Sequence, residues 1–165
     1  MTQKKVCIVG AFAVGKTSLV SRYVRNTFSE KYLTTVGVRI ERKVVRAGDH
    51  ELDLILWDLH GEDEFQKVRA SYLRGAAGCI LVVDRTRPAT LDIAVRQRQE
   101  ARATLGDVPC LFVVNKTDLE DESKIDDTAL GDLRGRGEIV IATSAKTGLG
   151  VDVAFETLVR AMVAS

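Results

Sequence analysis

The 165-residue chain has almost no net charge, few cysteines and no long apolar run. Its 24 Lys and Arg stand against 23 Asp and Glu, a formal balance of +1. Such a chain has no overall field to attract nucleic acid or an anionic membrane. The Arg-rich stretch VRQRQEAR, residues 95–102, reads as the solvated face of a helix. No run approaches the ~20 apolar residues that a membrane-spanning helix requires. The apolar start within MTQKKVCIVGAF belongs to a strand and its loop, not to a signal peptide. The end, LVRAMVAS, shows no terminal cysteine and no CaaX box, so no lipid anchor is visible in it. A cytoplasmic protein is the resulting expectation. Cys7, Cys79 and Cys110 form neither a CxxC nor a Cys/His spacing. They read as buried free thiols, which excludes a disulfide framework and a zinc site. Linkers, repeats and low-complexity segments are absent too, and the length suits one domain.

Four short apolar runs carry the secondary-structure signal. KVCIVG (Lys5 to Gly10), GCILVVD (Gly78 to Asp84), CLFVVNK (Cys110 to Lys116) and EIVIATS (Glu138 to Ser144) are nearly continuous in hydrophobicity. Parallel strands buried on both faces have this character. Helical periodicity lies over Thr17 to Val24, Leu91 to Leu105 and Val151 to Met162. VRIERKVVR (Val38 to Arg46) and ELDLILWD (Glu51 to Asp58) flank the turn signal AGDH and predict an antiparallel hairpin. The acidic stretch DLEDESKIDD, residues 118–127, reads as a solvated loop entering a helix. The fold expected is α/β: a mostly parallel six-stranded sheet, one antiparallel edge strand, and helices on both faces.

GAFAVGKT, from Gly10 to Thr17, fits the phosphate-loop pattern G-x-x-x-x-G-K-T between a strand and a helix. Gly10 and Gly15 let the backbone turn tightly. The amides of Ala13, Val14, Gly15, Lys16, Thr17 and Ser18 are then the expected phosphate donors, at a positive helix N-terminus. Lys16 supplies a point charge, and the Thr17 hydroxyl is a hard oxygen ligand suited to Mg²⁺. Asp58 and Gly61 form Asp-x-x-Gly, in which the carboxylate supports Mg²⁺ through water and the Gly61 N–H meets a γ-phosphate. NKTD, Asn115 to Asp118, ends a strand at the sheet edge where ligands bind. A carboxylate at Asp118 accepts from N1–H and the 2-amino group of guanine, donors that adenine lacks. TSAK, Thr143 to Lys146, offers the Ala145 N–H to the guanine carbonyl and the Lys146 stem to the ring.

In this order the motifs resemble small GTPases of the Ras superfamily, most closely the Rab branch. TVGV (Thr35 to Val38), LILWDLHGEDEF, SYLRGAAG, LVVDRT, NKTDLEDE and TSAKTGLGV carry the resemblance along essentially the whole chain. It implies a P-loop small GTPase fold, one G domain over residues 1–165, and GTP or GDP bound with Mg²⁺. Effectors, exchange factors and activators are then expected at two switch regions. By position, Thr35 would bind Mg²⁺ and meet the γ-phosphate, and Asn115, Lys116, Asp118, Ser144, Ala145 and Lys146 would form the base site. Phe28 would lie against guanine; read without the resemblance it is a loop anchor. Trp57 would sit between the switches, where it equally suits strand packing.

Several positions depart from that pattern. Glu62 stands where the family has a water-positioning glutamine. A carboxylate only accepts, and its charge faces a polyanion, so hydrolysis is expected to be slow. Lys16, Thr35 and Glu62 are the expected catalytic set. Phe12 is bulky beside the γ-phosphate position, where it either hinders an inserted arginine or folds outward. His60 replaces a usual alanine, and Ile40 and Leu73 replace usual aromatics. Two competitors stay open: a GTP-binding interaction module with negligible hydrolysis, and an adenine-nucleotide P-loop kinase.

Overall fold

Val, Ile and Leu dominate the four apolar runs, and each run becomes a strand of one sheet. The computed structural model describes residues 1–26, 37–60 and 70–164. The strands are β1 (Thr2–Gly10), β2 (Gly37–Ala47), β3 (His50–His60), β4 (Ala76–Asp84), β5 (Cys110–Asn115) and β6 (Ile139–Ala142). Their order across the sheet is β2-β3-β1-β4-β5-β6. Only the β2–β3 pair is antiparallel, which places the expected hairpin at the edge. Gly48, in the left-handed region at φ +61°, makes its turn.

The helices are α1 (Lys16–Arg25), α2 (Ala70–Leu73), α3 (Ala89–Leu105), α4 (Asp127–Gly135) and α5 (Val151–Ala164). A 3₁₀ helix covers Thr117–Glu122. Strand side chains alternate between two cores. On one face Ile8, Leu54, Leu56, Ile80 and Val113 pack with Leu19 of α1 and Phe155 and Leu158 of α5. On the other, Val9, Leu81, Val83, Phe112 and Val114 pack with Ala94 of α3 and Leu130 and Leu133 of α4. The Tyr23 and Phe155 rings stack at 3.8 Å between centroids, 4° from parallel. Lys43 of β2 covers the Tyr23 ring and donates to the Tyr23 carbonyl at 2.7 Å, tying the hairpin to α1. Lys5 of β1 stands 3.7 Å above the Trp57 ring on β3. All three cysteines are free and buried, and burial pushes Cys7 up to about 11. Among the described residues no helix is long and apolar enough to cross a membrane.

Differences from the sequence reading have local causes. Helix α3 starts two residues early because Pro88 precedes it, and proline lacks an N–H that a first turn leaves unused anyway. Strand β6 stops at Ala142, and the Ser144 N–H turns to the Leu149 carbonyl. The acidic stretch is more than a solvated loop, since Asp126 caps α4 by accepting from the Ala129 N–H at 2.9 Å. VRQRQEAR is not solvated throughout either. Gln97 and Ala101 are buried, and Arg98 pairs with Glu138 at 3.2 Å.

Phe155 is 1% exposed and carries the stack with Tyr23. Phe155→Ala is expected to lower unfolding free energy by about 3–5 kcal/mol in urea denaturation, through lost burial and a residual cavity.

Candidate nucleotide site

The carboxyl ends of β1, β3, β4 and β5 carry Gly10, Asp58, Asp84 and Asn115 at one edge of the sheet, and Thr143 follows β6 there. Successive connections from β1 lead to opposite sides of it, the place where open α/β sheets gather ligands. Residues 11–15 link β1 to α1. Within this loop Ala13 has φ +63° and Gly15 φ +102°. A Cβ on Gly15 would collide with Asn115 Nδ2, and one on Gly10 would lie 2.6 Å from the Val82 carbonyl oxygen. Both glycines are therefore demanded by close approach as well as by backbone conformation.

The loop has two unlike sides. Every carbonyl from Gly10 to Gly15 accepts from a protein donor. Lys16 Nζ donates to Gly10 and Ala11 at 3.0 Å each, Arg87 to Phe12 at 2.7 Å, and Lys116 to Ala13 at 3.0 Å. Asn115 Nδ2 donates to Val14 at 3.1 Å, and the Leu19 N–H to Gly15 at 2.8 Å. Among the described residues no acceptor meets the N–H groups of residues 11–15. The first turn of α1 holds no acidic side chain. A row of unanswered amides at a helix N-terminus suits an anion of several oxygens, and so fits phosphate.

Beside the loop, Thr17 Oγ1 donates to Asp58 Oδ2 at 2.7 Å. Asp58 is fully buried. A hydroxyl and a carboxylate side by side form a hard-oxygen pair of the kind Mg²⁺ selects, directly or through water. Asn115 is a junction: its Oδ1 accepts from Thr143 Oγ1 and the Ala145 N–H, both at 3.1 Å. Asp118 is exposed, with one oxygen accepting from Ser144 Oγ at 2.8 Å. Ser144 Oγ in turn accepts from the Thr147 N–H at 3.1 Å.

Lys116 reaches inward, bonding Ala13 and pairing with Asp84 at 2.9 Å, so its ammonium braces the loop. The Ala145 N–H, expected at a base carbonyl, donates here to Asn115. The carbonyls of Ala145 and Lys146 are held by Arg22 of α1. Gly10, Ala13, Val14, Gly15, Lys16, Thr17, Ser18 and Asp58 thus gather at one place, with the Asn115–Asp118 and Thr143–Lys146 loops beside them. Phe28, Thr35, Gly61 and Glu62 lie outside the described residues. Arg22, Asp84, Arg87 and Thr143 hold the site without belonging to the expected set.

The pattern of the Ras family matches residues 5–164. This chain belongs to the Ras family. Ras-related protein Rab-7b of Mus musculus is 35% identical over 158 residues, 93% of this chain and 79% of the relative. Ras-related protein Rab-7L1 of Homo sapiens is 41% identical over 121 residues, 70% of this chain and 60% of the relative. The Ras-family chain is accordingly Rab-like, a GTP-binding small GTPase switch. Within this Ras-family fold Phe12 is 48% exposed, and Ile40 is 51% exposed where Leu73 is buried, so the two non-aromatic positions differ in what they offer a partner.

Asp84, 1% exposed, titrates under opposed influences. Burial pushes its carboxyl up, but bonds from Lys116, Thr86 and Arg87 outweigh this and hold it below the ordinary 3.8. A depressed carboxyl stabilises the fold fully above its unfolded value and loses that contribution as pH falls toward its native value. Wild-type protein is therefore expected to lose stability on acidification below about pH 4. Asp84→Asn, less stable at neutral pH, should lose less over the same interval in thermal melts taken from pH 6 to 3.

Proposed function

We propose that residues 1–165 act as one G domain that binds GTP and GDP with Mg²⁺ and hydrolyses GTP slowly. The observation that carries this reading is the two-sided loop of residues 10–15. Its carbonyls are held by protein donors, while the amides of residues 11–15 have no acceptor among the described residues. The amides of residues 13–18 and the Lys16 ammonium hold phosphate oxygens in this reading. The Thr17 hydroxyl and the Asp58 carboxylate support the metal, with Thr35 as a further ligand. Bound there, Mg²⁺ supplies a hard positive charge against the phosphate oxygens. The Gly61 N–H faces the γ-phosphate.

Asp118 selects guanine by accepting from its two edge donors, with Ser144 fixing one of its oxygens. Asn115 and Lys116 keep the base loop against the phosphate loop. Phe28 and the Lys146 stem cover the base, and the Ala145 amide completes the pocket. Effectors, exchange factors and activators engage the two switch regions. Glu62 takes the place of a water-positioning glutamine. It accepts a hydrogen bond from water but donates nothing toward the terminal phosphate, and its charge opposes it. That mismatch is the reason for slow turnover.

Competition binding separates guanine from adenine. GDP should displace a labelled nucleotide where ADP does not, and a preference for ADP would overturn the Asp118 assignment. Asp118→Ala should weaken GDP by roughly 100-fold, the loss of two charge-assisted bonds of about 1.5 kcal/mol each.

Single-turnover hydrolysis with excess protein tests the chemistry. Slow phosphate release is expected, and Glu62→Gln should accelerate it about tenfold, or 1.4 kcal/mol of barrier. No release over hours leaves a binding module in place of an enzyme. Unchanged turnover in Glu62→Gln removes the account of Glu62.

A further inference from the structure

Two cations meet one buried carboxylate behind the phosphate loop. Asp84 Oδ2 accepts from Lys116 Nζ at 2.9 Å and from Arg87 Nε at 3.0 Å. Each cation also reaches a loop carbonyl, Lys116 that of Ala13 and Arg87 that of Phe12. Lys116 belongs to a motif recognisable in the sequence. Arg87 belongs to none, lying 75 residues from Phe12 in the turn between β4 and α3.

The backbone that presents Arg87 is held at both ends. Its N–H donates to the Asp84 carbonyl at 3.0 Å, and its own carbonyl accepts from the Thr90 N–H at 3.0 Å and the Thr90 hydroxyl at 2.7 Å. Asp84 Oδ1, meanwhile, takes the Thr86 N–H and hydroxyl at 2.9 and 2.7 Å. The guanidinium is therefore aimed by its surroundings, although 41% of the side chain stays exposed. A planar fork can serve a carboxylate and a carbonyl at once, which an ammonium on a flexible stem does less well.

We propose that Arg87 is a positioning residue of the phosphate site, acting from the carbonyl side through the Phe12–Ala13 peptide. This rests on the guanine-nucleotide reading above. The Phe12 carbonyl and the Ala13 N–H belong to one peptide unit. A cation on the carbonyl withdraws electron density from that unit and makes the N–H a stronger donor. It also fixes the peptide plane, and so the direction in which the Ala13 amide points. Nucleotide retention thereby depends on the β4–α3 turn, which meets the loop at the Phe12 carbonyl.

Release of fluorescently labelled GDP from the full chain, with amide NMR, tests this. Arg87→Ala should release GDP five- to tenfold faster, and Arg87→Lys should fall between it and wild type. Arg85→Ala is the control: that guanidinium donates to Ser123, away from the loop, and release should stay within twofold. The Ala13 amide proton should move upfield in Arg87→Ala and stay in place in Arg85→Ala. Release within twofold of wild type in Arg87→Ala overturns the proposal. So does an unmoved Ala13 resonance, or equal acceleration in Arg85→Ala. The resonance is also read without nucleotide. A wild type that retains no GDP therefore sinks the nucleotide reading, while the amide shift still decides whether Arg87 acts on the peptide.

Discussion

Asn115 donates to the Val14 carbonyl and accepts from Thr143 and Ala145, so one carboxamide joins the loops that follow β1, β5 and β6. A carboxamide suits this position because it offers a donor and a two-lone-pair acceptor at fixed separation. An aspartate would lose the bond to Val14, and an apolar residue would orphan three buried groups. Gly15 is the other half of the constraint, since any side chain there would occupy the space that Asn115 fills. The β5 strand sets where Asn115 ends, and Asn115 then sets where its neighbour Lys116 begins. The loops that are expected to face phosphate and base are thus indexed to one another as well as to the sheet.

Charge is arranged with the same economy. Asp84 is almost fully buried, a costly place for a lone carboxylate, yet two cations and a threonine turn surround it. Each of those cations also donates to one loop carbonyl. The result is polarity sorted by direction, with acceptors turned into the protein and donors left for something else. Removing either cation would disturb both the carboxylate and the loop.

Much of this was legible in the sequence, and the reason is locality. The strand runs are buried on both faces, so their hydrophobicity is continuous. The hairpin declares itself by alternation around a turn. The Gly10–Thr17, Asp58–Gly61, Asn115–Asp118 and Thr143–Lys146 motifs are short spacings, readable within a few residues of chain. Element ends were less legible because Pro88 and the Asp126 cap act on single residues. The braces were invisible. Arg22 reaches 123 residues along the chain, Arg87 75 and Arg98 40, and no periodicity marks which arginine will meet which oxygen. Phe28, Thr35, Gly61 and Glu62 lie outside the described residues, so their roles rest on resemblance and chemistry.

The pairing of Lys5 with Trp57 has an optical consequence. Trp57 is the only tryptophan in the chain and stands one residue before Asp58. Its indole is part-buried under an ammonium 3.7 Å from the ring. Indole emission responds to nearby charge and to wetting, so all ultraviolet-excited tryptophan light from this protein reports one spot. That spot lies on the strand that delivers the Asp58 carboxylate. The protein carries its own lamp at the root of the site, and no dye need be attached to watch that strand.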